Sequence, residues 1–382
     1  MEEWMTYKIG DICKSISDTY HGTDNDVVLV NTSDVYDGVC LNHTTVPNKD
    51  LRGQFKKTFK KNDILYSEIR PANKRFAFID FEPANYIAST KLMVIRCSSL
   101  VRPRYLYHYL KRQEMLDELQ ALAESRSGTF PQITFSELSL FDIQLPSLET
   151  QDKIVAVIDS FDDKILLNNR INHNLLNIAQ ELFNKEIAKN DYNPSTCRAS
   201  LLDIAEYLNG LAMQKYPAND GEFGLPVLKI KELGQQECDA SSDRCSESIP
   251  EQYIVTDGDI IFSWSGTLLV DFWCGGRCGL NQHLFRVSSD KYPDWFIYFW
   301  TKHHLDRFIR IAKDKAVTMG HIKRGDLGKA VVIIPEEGLM KTVDAEINPL
   351  ISEYIQRRIE NRRLQLLRDS LLPELMSGQL NC

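Results

Sequence analysis

The sequence predicts an α+β protein: two structurally related domains linked by two long antiparallel helices paired as a coiled coil, in a pseudo-two-fold arrangement. Three observations predict it. A long amphipathic stretch occurs twice, the copies separated by a constant offset of 189 residues that aligns Ile133 with Ile322, Leu138 with Leu327 and Pro146 with Pro335. Within each stretch the seam residues recur at alternating spacings of four and three, the stripe of a helix that packs along another helix. The segments ahead of the two stretches share one order of shorter elements. A gapless repeat this long means duplicated half-molecules, not a solenoid of small units.

The first stretch runs over 147–189 and the second from 336 to the tail at 382. One seam contains Ile154, Ile158, Phe161, Ile165, Asn168, Asn172, Leu175, Ala179 and Leu182. The other contains Val343, Ile347, Leu350, Tyr354, Arg357, Asn361, Leu364, Arg368 and Leu371. A helix of about forty residues is about 60 Å long. With the helices antiparallel, Asn172 and Asn361 fall near the crossing, where a buried amide fixes register at some cost in stability. The domains occupy 1–146 and 190–335. Each opens with an amphipathic turn, Ile9–Ile12 or Leu201–Ile204. A β-type run follows, Val27–Val30 or Val227–Ile230, then a strand fed by an acidic turn, Asp63-Ile64-Leu65 or Asp259-Ile260-Ile261. Next come a strand carrying Arg96 or Arg286 and an aromatic amphipathic helix, Pro103–Leu119 or Pro293–Ala312. A Gly-containing loop closes each domain.

The 382 residues suffice for two domains and their connections. No apolar run is long enough to span a bilayer, and the opening residues lack an apolar signal core, so a cytoplasmic protein without membrane association is expected. Nine cysteines without a secretion signal point to reduced thiols. A net charge of −8 argues against a stand-alone non-specific nucleic-acid binder. The chain contains no Pro-Pro dipeptide, no G-x-G-x-x-G and no phosphate-binding G-x-x-x-x-G-K-[S/T] loop. Cys238, Cys245, Cys274 and Cys278 gather in the second half, but without zinc-site spacing. No catalytic and no metal residues are assigned.

The ordered, twice-occurring set of segments resembles the specificity subunit of type I restriction–modification enzymes. The segments that carry the resemblance are Asp63–Ser67 and Asp259–Ser263, Leu280–Arg286, Gly128–Ile133, Met319–Arg324 and Leu371–Gly378. It covers essentially the whole chain, though no single segment is specific. The resemblance implies two target recognition domains reading a bipartite double-stranded DNA site with an unread gap, and a coiled coil that spaces them. It implies two docked modification (methyltransferase) subunits and further restriction subunits. S-adenosylmethionine, ATP and magnesium would be bound by those partners, and this chain would be non-catalytic with no cofactor of its own. The first half departs from the pattern, with Ser89-Thr90-Lys91-Leu92 where the second has Asn281-Gln282-His283-Leu284, which fits two unlike half-sites. The alternatives are the recognition subunit of a related bifunctional methyltransferase/endonuclease system, discriminated by its partner genes, a DNA-modifying enzyme in its own right, discriminated by activity of the purified chain, and a coiled-coil scaffold with no DNA role, discriminated by lack of sequence preference in a reconstituted complex.

Base edges are read by side chains with paired hydrogen-bonding groups, and phosphates are held by cations, hydroxyls and amides. On that chemistry the first-half candidates are Ser67, Arg70, Asn73, Lys74, Arg75, Arg126, Ser127, Thr129 and Gln132. The second-half candidates are Ser265, Thr267, Arg277, Asn281, Gln282, His283, Lys315, Thr318, His321, Lys323 and Arg324. Lys56, Lys57, Lys60 and Lys61 read as a solvated face or phosphate anchor, and Trp264 and Trp273 as core. Partner docking is expected on outward helix faces carrying Asp152, Lys153, Asp162, Asp163, Lys164, Arg358, Arg362 and Arg363.

Overall fold

The computed structural model describes residues 4–49, 51, 53–125, 131–188, 197–219, 221, 223–314 and 320–380. Its two long helices are Leu148–Phe183, continued by a π-helical turn Asn184–Ala188, and Glu337–Met376. Pro146 cannot extend a helix backwards, and Ser147 Oγ accepts from the Thr150 amide at 3.3 Å, an N-cap that starts the first helix. The second ends where Gly378 takes the left-handed conformation at φ 72°.

The chain divides into two compact units, Met1–Asp163 with Leu366–Cys382, and Lys164–Gln365. Each unit therefore contains part of both long helices. In the first, Ile154 and Ile158 share a core with Leu372, Leu375 and Met376. In the second, Ala179, Phe183 and Ile187 share one with Val343, Ile347 and Ile351. Phe183 and Leu372 are 189 residues apart, as are Ile187 and Met376, so the repeat puts equivalent apolar side chains into each core. All eighteen positions of the predicted seams are buried or half-buried.

The sheets repeat as well. In the first unit an antiparallel sheet has the order Cys13–Ile16, Leu92–Cys97, Ile64–Ser67, Phe76–Phe78. Beside it lies a sheet ordered Thr45–Pro47, Asp26–Val30, Tyr86–Ser89, Phe55–Lys57, whose central pair is parallel. The second unit repeats both: Glu206–Asn209, Leu284–Ser288, Ile260–Ser263, Val270–Phe272, and Arg244–Cys245, Leu225–Leu228, Cys278–Leu280, Ile254–Val255, again with a parallel central pair. A two-stranded ribbon in each, Met5–Lys8 with Asp142–Leu145 and Cys197–Ser200 with Val331–Ile334, ties the start of the unit to the strand before its long helix.

Three expectations are corrected. The aromatic helices are each broken in two, Pro103–Leu110 with Gln113–Glu124 and Asp294–His303 with Leu305–Asp314. The first piece is buried all round over Tyr105–Leu110, whereas the second buries one face through Met115, Leu116, Leu119 and Ala123. A single straight helix cannot satisfy both environments. The β-type run at Val227–Ile230 stops at Leu228, and Ile230 opens a short helix. Asp162, Arg358 and Arg362 do not face outward for docking. Asp162 binds Arg368 at 2.6 Å and Lys111 at 2.9 Å, Arg358 binds Asp271 at 3.0 Å, and Arg362 binds Asp257 at 2.8 Å. Tyr354, on the predicted seam, packs its ring 6.3 Å from Phe272 of the sheet.

The seam amides form a polar layer in the second unit. Asn168 donates to Asn361 Oδ1 at 2.8 Å and accepts from Arg357 at 2.9 Å, while Asn361 donates to Asn169 at 2.8 Å. Asn361 thus meets Asn168 and Asn169, and the buried Asn172 amide has no hydrogen-bond partner among the described residues. The repeat maps Asn168 onto Arg357 and Asn361 onto Asn172, and Arg357 Nε is the other unpartnered buried group of this layer.

Candidate nucleic-acid interface

In both units two polar loops, far apart in sequence, cross at the end of the same sheet strand. In the first, buried Ser67 Oγ accepts from the Ile69 amide at 3.0 Å, closing a turn after Ile64–Ser67. A 3-10 turn Pro71–Asn73 follows, flanked by left-handed Arg70 (φ 47°) and Lys74 (φ 53°). Side chains rarely adopt that conformation, and its cost, of order 1 kcal/mol, is met only where surrounding bonds impose it. They do: Arg70 N donates to Pro131 O at 3.1 Å, and Ile133 N to Glu68 O at 2.8 Å. In the second unit Ser263 Oγ donates to Ser265 O at 3.1 Å, and Gly266 takes the left-handed place at φ 64°. Gly266 N donates to Gly320 O at 2.9 Å and Ile322 N to Trp264 O at 3.1 Å. Ile69 bridges Gln132, and Ser265 bridges His321.

A third segment joins each crossing. Lys91 Nζ donates to Gln132 Oε1 at 3.2 Å and lies 3.7 Å from Glu68. His283 Nδ1 lies 3.0 Å from Ser265 Oγ, and its ring centroid 5.9 Å from that of Trp264. The Asn281–His283 turn is held from below by Gly210, where a Cβ would strike Asn281 O at 2.2 Å. Lys91 was not among the sequence candidates. Its alignment with His283 in the repeat was the signal that could have found it.

The predicted residues divide by environment. Arg126, Ser127, Thr129, Lys315 and Thr318 lie outside the described residues. Arg70, Asn73, Thr267, Lys323 and Arg324 are exposed around the crossings, with Lys74, Gln132, Gln282, His283 and His321 half-buried among them. Ser67, Ser265 and Asn281 are buried, and Asn281 Oδ1 accepts from the His283 amide at 3.2 Å, a turn role. The Arg75 guanidinium donates to Ser33 O at 3.2 Å and sits 5.4 Å from the Tyr36 ring. Arg324 donates to Tyr207 O at 3.1 Å. Arg277 is not brought to the crossing. It follows Gly276, whose amide donates to Asp257 ahead of strand Ile260–Ser263, at the end away from Ser265.

A groove of about 610 Å³ opens beside the second crossing, lined by Gln214, Lys231, Arg244, Asn281, Gln282 and His283 among others. Lys229 also lines it and is ion-paired with Asp243. Gln214, Lys229, Lys231 and Arg244 carried no signal in the sequence, because an isolated surface amide or cation looks the same wherever the fold puts it.

Among the described residues one group could by geometry hold a metal ion: His108, Asp159 and Asp162 in the first unit. Its ligand atoms are already engaged. His108 Nε2 meets Asp159 at 2.7 Å, Arg104 reaches Asp159 at 3.0 Å, and Lys111 and Arg368 hold Asp162. Burial pushes the His108 imidazole down to about 4, against the Asp159 bond that pulls it up. The fold therefore excludes the proton that the unfolded chain takes up near pH 6.5. The associated stability is complete above about pH 6.5 and lost as pH falls to about 4, on the order of 3 kcal/mol. Denaturant titrations over that range should show the decline, and His108→Phe should flatten it; an unchanged slope would refute this origin. In the second unit burial likewise raises the Cys274 thiol to about 11.

Two copies of one α+β module, each seated on both long helices and each presenting crossed polar loops, define a duplicated recognition scaffold. The family model described as "Type I restriction modification DNA specificity domain" matches residues 1–177. Over 261 residues the chain is 44% identical to the type I restriction enzyme HindI specificity subunit of Haemophilus influenzae, covering 68% of this chain and 56% of that protein. The chain belongs to the family of type I restriction–modification specificity subunits. It spans little more than half the length of the Haemophilus protein. It is also 27% identical over 300 residues to the MjaIX specificity subunit of Methanocaldococcus jannaschii, covering 72% of this chain and 68% of that one. A solved type I S subunit from M. genitalium matches 98% of this chain and 96% of its own at 14% identity and a TM-score of 0.57, a likeness of fold. Among the described residues no helix is long and apolar enough to cross a membrane.

Proposed function

We propose that this chain is the DNA-specificity subunit of a type I restriction–modification complex. Each unit reads one half of a bipartite duplex target through its crossed loops, and the helices common to both units set the gap between the halves. The chain does no chemistry itself. Two modification subunits supply adenine methylation with S-adenosylmethionine, and restriction subunits supply ATP- and magnesium-dependent cleavage, all in the cytoplasm.

The observation that carries this reading is the repeated crossing. The same backbone bonds recur in both units while the side chains around them differ, which suits one frame reading two unlike half-sites. The helix Leu148–Phe183 has 36 residues, about 54 Å at 1.5 Å per residue, long enough to relate sites a helical turn of DNA apart.

The test is sequencing of methylated positions in DNA modified by the reconstituted complex. A bipartite motif with a fixed gap is expected, and methylation without sequence preference would sink the reading. The negative charge further predicts weak DNA binding by the lone chain at physiological salt. In the complex, Lys323→Ala should weaken all sequences alike and lower the slope of log affinity against log salt by about 0.9, as loss of one phosphate contact requires. A change confined to one base position would assign Lys323 to base reading instead.

A further inference from the structure

Strand register identifies one equivalent position in the two units independently of loop length. Leu92 pairs with Ser67, and Leu284 pairs with Ser263, so Lys91 and His283 precede equivalent residues. The loop positions across from them, Gln132 and His321, are equivalent too, by the bridges to Ile69 and Ser265. What each unit displays at this place differs in hydrogen-bonding sense.

In the first unit an ammonium meets a carboxamide. An ammonium only donates, so the Lys91 bond at 3.2 Å must fall on the carbonyl oxygen of Gln132, which turns the amide nitrogen away from it. Lys91, with its side chain 49% exposed, and the Gln132 amino group offer donors on this edge, while the Gln132 carbonyl and the Glu68 carboxylate, 3.7 Å from Lys91, are both turned to the ammonium. In the second unit the Gln282 amide nitrogen lies 3.4 Å from His283 Nε2. That nitrogen only donates, so the tautomer that satisfies this contact accepts at Nε2 and carries its proton on Nδ1, which lies 3.0 Å from Ser265 Oγ. One N–H and the carbonyl oxygen of Gln282 remain, a donor and an acceptor side by side on the wall of the groove.

We propose that this position sets the difference between the half-sites. Lys91 with Gln132 selects a base edge of acceptors alone, guanine O6 and N7, in the half-site of the first unit. Gln282 selects an edge of one donor and one acceptor, adenine N6 and N7, in the half-site of the second, with His283 as the residue that orients it. The proposal rests on the reading of the chain as a DNA-specificity subunit.

The experiment selects bound sequences from a randomised duplex library, using the complete chain assembled with its partner subunits. Lys91→Gln should reduce preference for one guanine about 10- to 100-fold in one half-site only, and Lys91→Arg should retain it. Gln282→Leu should do the same to one adenine in the other half-site, and His283→Phe should weaken that adenine without altering the first half-site. Unchanged motifs, changes in both half-sites, or uniform weakening of all sequences would overturn the assignment while leaving the DNA-specificity reading intact. A wild-type complex that enriches no bipartite motif would instead overturn that reading. Thermal melts of each variant separate loss of folding from loss of selection, and if Lys91→Gln fails to fold, Gln132→Glu, which replaces the amino donor by an acceptor, should weaken the same guanine; an unchanged preference there overturns the assignment.

Discussion

Phe183→Ala is expected to destabilise the second unit by about 3–5 kcal/mol. Phe183 is fully buried, with its ring centroid 5.3 Å from those of both Phe299 and Trp300. Its removal opens a cavity between the first long helix and the helix Asp294–His303, which carries both rings, and the rings cannot close it without moving that helix. Denaturant unfolding of the full chain, followed by tryptophan fluorescence, should show the second unit melting earlier. A loss under about 1 kcal/mol would mean that the helix is not anchored there. Leu372, its counterpart in the repeat, is 4% exposed, and Leu372→Ala should lower the first unit by about 2–5 kcal/mol.

Asp162→Ala should cost about as much, roughly 3–5 kcal/mol, by a different mechanism. Asp162 stands between Lys111 and Arg368, whose side chains are only 9% and 19% exposed, and Arg368 also binds the exposed Asp369 at 2.8 Å. Without it Lys111 loses its ion pair in a poorly solvated place, and Arg368 keeps Asp369. Burial pushes the Asp162 carboxyl up, yet Lys111 and Arg368 together hold it down at about 2. The carboxylate's contribution is therefore present above about pH 4 and lost as pH falls through about 2. Lys111 is itself pushed down by burial, so the network as a whole stabilises less than the carboxylate alone implies. Replacing all three together, Asp162→Ile with Lys111→Met and Arg368→Leu, should recover most of the loss. The repeat already contains that solution, since Ile351 occupies the equivalent position in the second unit and is 3% exposed. Failure of the triple variant to recover stability would show that the network also fixes the geometry of the helix pair.

The sequence by itself determined the duplication, both long helices and the order of elements in each unit. Those properties are periodic, and periodicity is set by backbone geometry: a seam at spacings of four and three survives whatever the helix packs against. The loops Ser67–Arg75 and Ser263–Thr267 were also legible, from glycine, hydroxyls and cations placed just after a predicted strand. Only the tertiary structure decided what those polar groups face. In sequence Arg75 reads as a DNA contact and Arg358 and Asp162 as outward docking charges, yet they face Tyr36, Asp271 and Lys111. Lys91, which reads as an ordinary strand-edge lysine, stands beside Gln132. A charge does not state its partner in a linear string, because the partner lies dozens of residues away and is chosen by which strands pair and which loops cross.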